Sequence, residues 1–205
     1  VTCIIGGSKI STKINVISSL IEKVNNLIIV GAMANNFFVY KNLKVGKSLI
    51  ENDTKEIIKE IYNKAEKHKC DILIPEDCVV SKSFNGSGEN KSLNTIADNE
   101  IILDIGPKTV EKIIEKINKS NTVLWNGPAG YFENENFMDG TMLIANAISK
   151  NTTSKSLISI LGGGDTLAAI NKSKNKLSFT HLSTAGGAFL EYLEGKDLPG
   201  LSVLK

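Results

Sequence analysis

The stretch SLISILGGGDTLAAI (residues 156–170) joins an apolar run, three glycines and the beginning of a helical pattern. A strand that ends in glycines and turns into a helix is a common phosphate-binding arrangement, because the N–H groups at a helix start are unpaired and favour an anion. An acid, Asp165, nevertheless follows the glycines. Two roles are open for it: a helix N-cap, which is common for aspartate, or a ligand of Mg²⁺ beside a phosphate.

The rest of the chain alternates between short apolar runs and amphipathic stretches. Apolar residues recur on one face of 54–67 and of 110–117, which predicts helices there. This alternation predicts an α/β protein, a three-layer α/β/α Rossmann-like domain whose mainly parallel sheet has helices on both faces. The polar, glycine-bearing segment 78–97 interrupts the pattern and is predicted to form a small β-hairpin excursion at the rim of the sheet. The predicted strands are 1–5, 26–30, 71–74, 100–104, 122–126 and 156–161.

The composition excludes several classes of protein. A net charge of +2 favours neither a nucleic-acid partner nor a membrane surface, and no apolar run is long enough to span a bilayer. The three cysteines lie mostly in apolar surroundings, which is typical of free core thiols in a cytoplasmic protein. All 24 basic residues are lysines, so any bidentate arginine clamp on a phosphate must come from another chain or domain.

Turns of small residues follow the predicted strands, at the sheet edge where parallel α/β proteins bind ligands. Two familiar nucleotide motifs do not explain these turns. VGKS (45–48) resembles the end of a P-loop, but Lys41 stands where that motif requires glycine. IIGGSKI (4–10) lacks the G-x-G-x-x-G pattern of a dinucleotide site. The turns are GGSK (6–9), GAMA (31–34), NGPAGYFE (126–133), GGGDT (162–166) and HLSTAGGA (181–188).

Lys9 and Lys13 are four residues apart, so they are neighbours if this segment opens a helix. Two interpretations are open: solvated lysines on an exposed face, or a pair that holds an anion between them. Further along, Glu133 is placed to accept hydrogen bonds from ribose hydroxyls. The turn at 183–187 supplies a second set of backbone donors, or else only a tight turn capped by Ser183 or Thr184.

Eight motifs occur in one order along essentially all 205 residues, and together they are specific: GGSKIST, GAMANNFF, VGKSLIE, IPEDCVV, LDIGP, LWNGPAGYFE, GGGDT and STAGGAFLEYLEGKDLPG. In them the chain resembles the C-terminal, nucleotide-binding domain of the phosphoglycerate kinase family. The resemblance implies a six-stranded parallel sheet of order 3-2-1-4-5-6. It also implies that residues 1–205 form one domain of a two-domain kinase. The chain would then begin just after the hinge from an N-terminal, phosphoglycerate-binding domain that it lacks.

The resemblance also implies roles for individual residues. Phosphate contacts fall to Lys9 and Lys13, the metal to Asp165, and catalysis to Lys9, Lys13, Gly164 and Gly186. Ala185 departs from the family pattern because it replaces the first of three glycines. Ser8, Ala129, Tyr131 and Ile102 also depart from it. The implied nucleotide-binding residues are Lys9, Lys13, Gly31, Ile102, Leu103, Asn126, Pro128, Gly130, Glu133, Gly162, Gly163, Gly164, Asp165 and Thr166, with Glu133 at the ribose, and Gly186 and Gly187 lie near the transferred phosphoryl group.

The implied reaction is reversible phosphoryl transfer from 1,3-bisphosphoglycerate to ADP, giving 3-phosphoglycerate and ATP. Mg²⁺ would act as Mg-ADP or Mg-ATP, and phosphoglycerate would be bound mainly by the missing domain. We therefore expect a cytoplasmic monomer that binds nucleotide, has no nucleic-acid or membrane partner and turns over negligibly alone. The alternatives are a non-catalytic nucleotide-binding module on the same fold, and a different kinase that uses the same sheet.

Overall fold

A computed structural model describes residues 1–203, with the exception of the Leu201 side chain; the last two residues of the expected 1–205 domain lie outside it. The strands are β1 (Thr2–Ile5), β2 (Asn26–Ile29), β3 (Asp71–Leu73), β4 (Asp77–Ser81), β5 (Glu89–Ser92), β6 (Ile101–Ile105), β7 (Thr122–Asn126), β8 (Ile158–Gly162) and β9 (His181–Ser183). The helices are α1 (Ile14–Ile21), α2 (Ala34–Tyr40), α3 (Lys55–His68), α4 (Pro107–Asn118), α5 (Asp139–Lys155), α6 (Gly164–Ile170), α7 (Gly187–Leu193) and α8 (Pro199–Ser202). Short 3₁₀ turns cover Leu93–Thr95 and Glu135–Phe137.

Six parallel strands form the main sheet, in the order β3-β2-β1-β7-β8-β9. Numbered among themselves along the chain, these strands have the order 3-2-1-4-5-6, so the predicted order is confirmed. β1 lies between β2 and β7, and Thr2 pairs with Asn26 on one side and Val123 on the other. The strand order therefore reverses beside β1, and ligands of open α/β sheets bind at such a reversal.

One predicted strand belongs to a different sheet. Residues 100–104 were expected within the parallel series, but β6 pairs antiparallel with β4, and β4 pairs antiparallel with β5. The β4–β5 hairpin confirms the predicted excursion, with β6 as its third strand. The sixth strand of the main sheet is β9. Its three residues are mostly exposed and carry no apolar run that periodicity could detect.

Two apolar cores lie on opposite faces of the main sheet, because successive side chains of a strand point to opposite sides. Leu27 and Ile29 of β2 pack in the core beneath α1, α2 and α3, whereas Ile28 packs in the core beneath α4, α5 and α6. The predicted helices are confirmed: 54–67 corresponds to α3, and 110–117 lies within α4. Within residues 1–203, no helix combines the length and the apolar character that crossing a membrane requires.

Candidate functional site

Two adjoining clefts open at the carboxyl ends of the central strands. The larger encloses about 490 Å³ and the smaller about 190 Å³. Gly7, Ser8 and Asp165 line both, so the two clefts are continuous with each other. An elongated ligand with a large apolar end and a small polar end would match this shape.

Lys13 is the central cation of the smaller cleft. Its Nζ donates hydrogen bonds to Asn126 Oδ1 at 2.8 Å and to the Gly6 carbonyl oxygen at 2.5 Å. Asn126 Nδ2 in turn donates to the Gly162 carbonyl oxygen at 2.8 Å, which links the ends of β1, β7 and β8. Burial lowers the pKa of Lys13 to about 8, and the nearby Asp165 carboxylate opposes that shift. An anion in this cleft would stabilise the charged ammonium.

Lys9 and Lys13 are not neighbours on one helix, because the segment that carries them does not open one. Residues 11–13 form a turn, in which the Lys13 N–H donates to the Ile10 carbonyl, and α1 begins at Ile14. Gly6, ahead of this turn, donates its N–H to the Asn126 carbonyl oxygen at the end of β7. Lys9 is exposed, and both lysines still line the smaller cleft, so they share a site without being helical neighbours.

Asp165 lies in the first turn of α6 and is not its N-cap. Gly163 holds the N-cap position, without a side-chain capping hydrogen bond, because the three glycines start the helix earlier than the sequence suggested. The Asp165 side chain is exposed and borders both clefts. No group of three or more His, Cys, Asp or Glu side chains that could hold a metal occurs within residues 1–203. A single carboxylate suits Mg²⁺ that takes its other ligands from water and phosphate.

The Thr166 side chain holds the glycine loop (residues 162–164) against the segment that follows β7. The Thr166 hydroxyl accepts the Gly127 N–H at 2.7 Å and donates to the Gly162 carbonyl oxygen at 2.9 Å. Thr166 and Asn126 are buried, and their polar atoms bond to the protein itself. The Asn126 and Thr166 side chains therefore orient the loop, and both residues line the smaller cleft together with Gly163 and Gly164.

The larger cleft is mainly apolar. The segment that follows β7 forms one wall, and the Tyr131 N–H ties it to the Leu103 carbonyl oxygen at 2.7 Å. The Tyr131 ring meets the Phe84 ring edge to face, with centroids 5.1 Å apart, so the hairpin between β4 and β5 reaches this wall. Seven of the residues expected to bind nucleotide line the cleft: Gly31, Ile102, Leu103, Pro128, Gly130, Glu133 and Asp165.

The turn before α7 is not brought into either cleft. Gly186 and Gly187 line neither of them, and a Cβ added at either position would meet no atom within 4 Å. Of the four residues expected to be catalytic, the structure thus gathers Lys9, Lys13 and Gly164 but leaves Gly186 apart.

Two residues at this edge were missed by the sequence analysis. Asp104 is 2% exposed, lines the larger cleft and accepts the N–H groups of Ile105 and Gly140, each at 2.8 Å. Burial raises its pKa to about 7. An acid inside the apolar run of β6 was a visible signal for it. Lys172 bonds to the segment after β7, and no local pattern distinguishes it from other lysines.

Comparison with known proteins identifies the family. The model of the family described as phosphoglycerate kinase matches residues 1–196. The chain belongs to the phosphoglycerate kinase family. Curated phosphoglycerate kinases from Xanthobacter autotrophicus and Zymomonas mobilis are each 44% identical to it, with 100% of this chain and 52% of each relative covered. The chain thus spans about half the length of these phosphoglycerate kinases.

Solved phosphoglycerate kinase structures share the fold. The enzyme from Coxiella burnetii superposes with a TM-score of 0.93 at 38% identity, covering 99% of this chain and 52% of that one. The enzyme from Pyrococcus horikoshii gives a TM-score of 0.79 at 29% identity, covering 99% and 51%. The two-sheet architecture is therefore that of half a phosphoglycerate kinase.

Proposed function

We propose that this chain supplies the Mg-ADP/Mg-ATP site of a phosphoglycerate kinase. The observation that carries the proposal is the junction of the two clefts. An apolar cleft of about 490 Å³ continues, at Asp165, into a polar cleft that holds the Lys13 ammonium. This sequence of surfaces matches a nucleotide: an apolar base, a ribose and a charged phosphate tail.

In this arrangement the base lies in the larger cleft, among Gly31, Ile102, Leu103 and Pro128. Glu133 lines the same cleft and is exposed. Its carboxylate accepts hydrogen bonds from the ribose hydroxyls, since carboxylates are strong acceptors.

The phosphate tail lies in the smaller cleft. The Lys9 and Lys13 ammonium groups neutralise its charge, and the N-terminus of α6 at Gly163 and Gly164 adds backbone donors. Asp165 would hold Mg²⁺ together with the phosphates, and the ion would neutralise negative charge on the phosphoryl group.

The reaction is reversible phosphoryl transfer between 1,3-bisphosphoglycerate and ADP, which depends on positioning and charge neutralisation. This chain contributes Lys9, Lys13 and the α6 N-terminus, and Gly186, which lines neither cleft, is proposed to meet the transferred group. Phosphoglycerate is proposed to bind mainly to an N-terminal domain, and the absence of arginine from this chain agrees with any arginine of the site lying there. The active enzyme is proposed to work as a cytoplasmic monomer.

Calorimetric titration of Mg-ADP into the chain tests the nucleotide site. We expect saturable binding that Lys13→Met and Asp165→Asn each weaken by more than about tenfold, since each removes a charged partner. Lys174→Met removes an exposed lysine that lines neither cleft, and should bind as the parent does. Binding that is equal in all four proteins would contradict the site.

A coupled assay tests the division of labour. The chain alone should show negligible phosphoglycerate kinase activity. Activity should appear when the N-terminal half of a relative, such as the unmatched part of the Xanthobacter autotrophicus enzyme, is added in trans. Full activity of the chain alone would contradict the missing-domain proposal, and nucleotide binding without activity in any mixture would favour a non-catalytic module.

A further inference from the structure

Lys172 reaches across from the end of α6 to the segment after β7. Its Nζ donates to the carbonyl oxygens of Phe132 at 2.9 Å and Glu133 at 3.1 Å, and it lies 5.4 Å from the centroid of the Phe132 ring. One ammonium group thus contacts the carbonyl oxygens of two successive residues and the ring of the first of them, Phe132. Lysine has three donors and a charge that aromatic faces attract, so a single side chain can make all three contacts.

This anchor lies at the point where the backbone presents Glu133. The preceding residue, Phe132, packs with Met138 of the loop and Ala169 of α6 in a small buried cluster. The Glu133 side chain is exposed, and the backbone at residue 133 sets the point from which it extends toward the larger cleft. The Lys172 contacts fix the backbone at and just before Glu133.

Lys172 is also connected, through α6, to the smaller cleft that is proposed to hold the phosphates. It lies two residues after the end of α6, next to the C-cap Asn171, and the Lys172 N–H donates to the Ala169 carbonyl oxygen at 3.0 Å. The first turn of the same helix carries Asp165, and a seven-residue helix is only about 10 Å long. One short rigid element therefore has the metal-side carboxylate at one end and the anchor of Glu133 at the other.

We propose that Lys172 is a positioning residue that holds Glu133 in place for the ribose hydroxyls of the nucleotide. Lys172 lines neither cleft, so it acts through the backbone and not by touching the nucleotide. This inference rests on the proposed function, because it requires that Glu133 meets a ribose.

The test compares Mg-ADP with Mg-2′,3′-dideoxy-ADP by calorimetry. In the parent chain the ratio of the two Kd values reports the ribose contact, and we expect about tenfold tighter binding of Mg-ADP. Lys172→Met should reduce that ratio to about threefold or less, chiefly by weakening Mg-ADP. Lys172→Arg keeps a long cation and should restore most of the ratio. Lys174→Met removes a charge two residues away and should leave the ratio unchanged.

A purely structural role would give a different result. If Lys172→Met weakened both ligands equally and kept the parent ratio, the positioning role would be wrong while nucleotide binding stood. If the parent bound neither ligand, the proposed function would fail, and the ribose role with it.

Amide hydrogen exchange in the nucleotide-free chain gives a second readout that does not depend on binding. Lys172→Met should speed exchange at residues 131–134, because their turn loses its anchor, and leave exchange in β1 and β7 unchanged. Lys174→Met should change neither region. Unchanged exchange at 131–134 in Lys172→Met would overturn the anchoring itself.

Discussion

The glycines at the sheet edge fall into two groups with different physical reasons. Gly6 and Gly127 lie where the loops after β1 and β7 cross. A Cβ at Gly6 would come within 2.7 Å of the Gly127 carbonyl oxygen, and one at Gly127 would overlap the Gly6 carbonyl group. Gly164 and Gly187, at the starts of α6 and α7, have no atom within 4 Å of such a Cβ. The glycines of the first pair allow two backbone segments to pack closely, and those of the second pair have open space where a side chain would begin.

This difference distinguishes glycines that the packing of the fold requires from glycines that leave room for a ligand, although both occur in similar motifs. Gly127 also has φ +94°, a conformation that side-chain-bearing residues adopt only with strain. Gly164 has no such constraint and lines the smaller cleft, so its missing side chain leaves room for a ligand. A third type appears at Gly140, where a Cβ would lie 2.5 Å from the Asp104 Oδ1 atom, so this glycine accommodates a buried carboxyl group.

The largest predicted effect is on the stability of the chain and concerns the closely packed pair, Gly6 and Gly127. Gly127→Ala should destabilise the chain by more than about 3 kcal/mol, because it combines backbone overlap with strain at positive φ. Gly164→Ala, at the first residue of a helix, should change the free energy of unfolding by less than about 1 kcal/mol. Urea unfolding followed by circular dichroism measures both. Equal destabilisation of the two variants would contradict the distinction.

The next largest effect is on Mg-ADP affinity and concerns the second pair of glycines, Gly164 and Gly187. Gly164→Ala should weaken Mg-ADP by more than about tenfold although the variant stays folded, because the new methyl group enters the space of the phosphate tail. Gly187→Ala adds the same methyl in open space outside both clefts and serves as the control. Calorimetry on the two variants should separate them, and equal affinities would show that Gly164 does not face the nucleotide.

A smaller effect is predicted for the buried Asp104 carboxyl group, which lies against Gly140. The folded-state pKa of Asp104, about 7, is raised by burial and secondarily by Asp139, so the folded chain holds this proton more tightly than the unfolded chain does. Its contribution to stability is therefore greatest at low pH and is lost as pH rises toward 7. Asp104→Asn cannot titrate. The stability of the parent relative to this variant should fall by about 1 kcal/mol or more between pH 5 and 7. Urea titrations that gave a pH-independent difference would contradict the buried acid.

The smallest effect is the pH dependence of Lys13. Its pKa of about 8 means that the ammonium loses its proton in the nucleotide-free chain just above neutrality. Because an anion binds the charged form, Mg-ADP affinity should weaken by about threefold between pH 7.5 and 8.5. Lys13→Met should bind weakly with no such slope. A parent affinity that is constant over this range would show that Lys13 does not meet the phosphates.

The sequence predicted the regular parts of the fold well. Apolar periodicity located α3 and α4, because it depends on residues close together in the chain. The strand order of the main sheet was implied by the resemblance to the family and not by any local pattern. Periodicity could not assign β6 to the second sheet, since a short apolar strand shows neither its partner nor its direction. It also missed β9, whose side chains are mostly exposed.

The sequence brought several of the residues that line the clefts to notice but did not show their geometry. Lys9, Lys13 and Asp165 do line one cleft, yet the sequence pattern did not show the turn before α1 or the start of α6 at Gly164. The sequence analysis missed Lys172, because its hydrogen-bond partners lie 39 and 40 residues earlier in the chain. Contacts of that range leave no local signal.

The central claim is that a divalent cation and a nucleotide tail meet at the N-terminus of α6. Replacing Mg²⁺ by paramagnetic Mn²⁺ tests it directly, because Mn²⁺ broadens nearby amide signals in NMR spectra. With ADP present, the amides of Gly163, Gly164 and Asp165 should lose intensity first. Those of Thr2 and Thr122, at the opposite end of strands about 15 Å long, should lose much less intensity. Broadening centred on any other part of the chain would contradict the account.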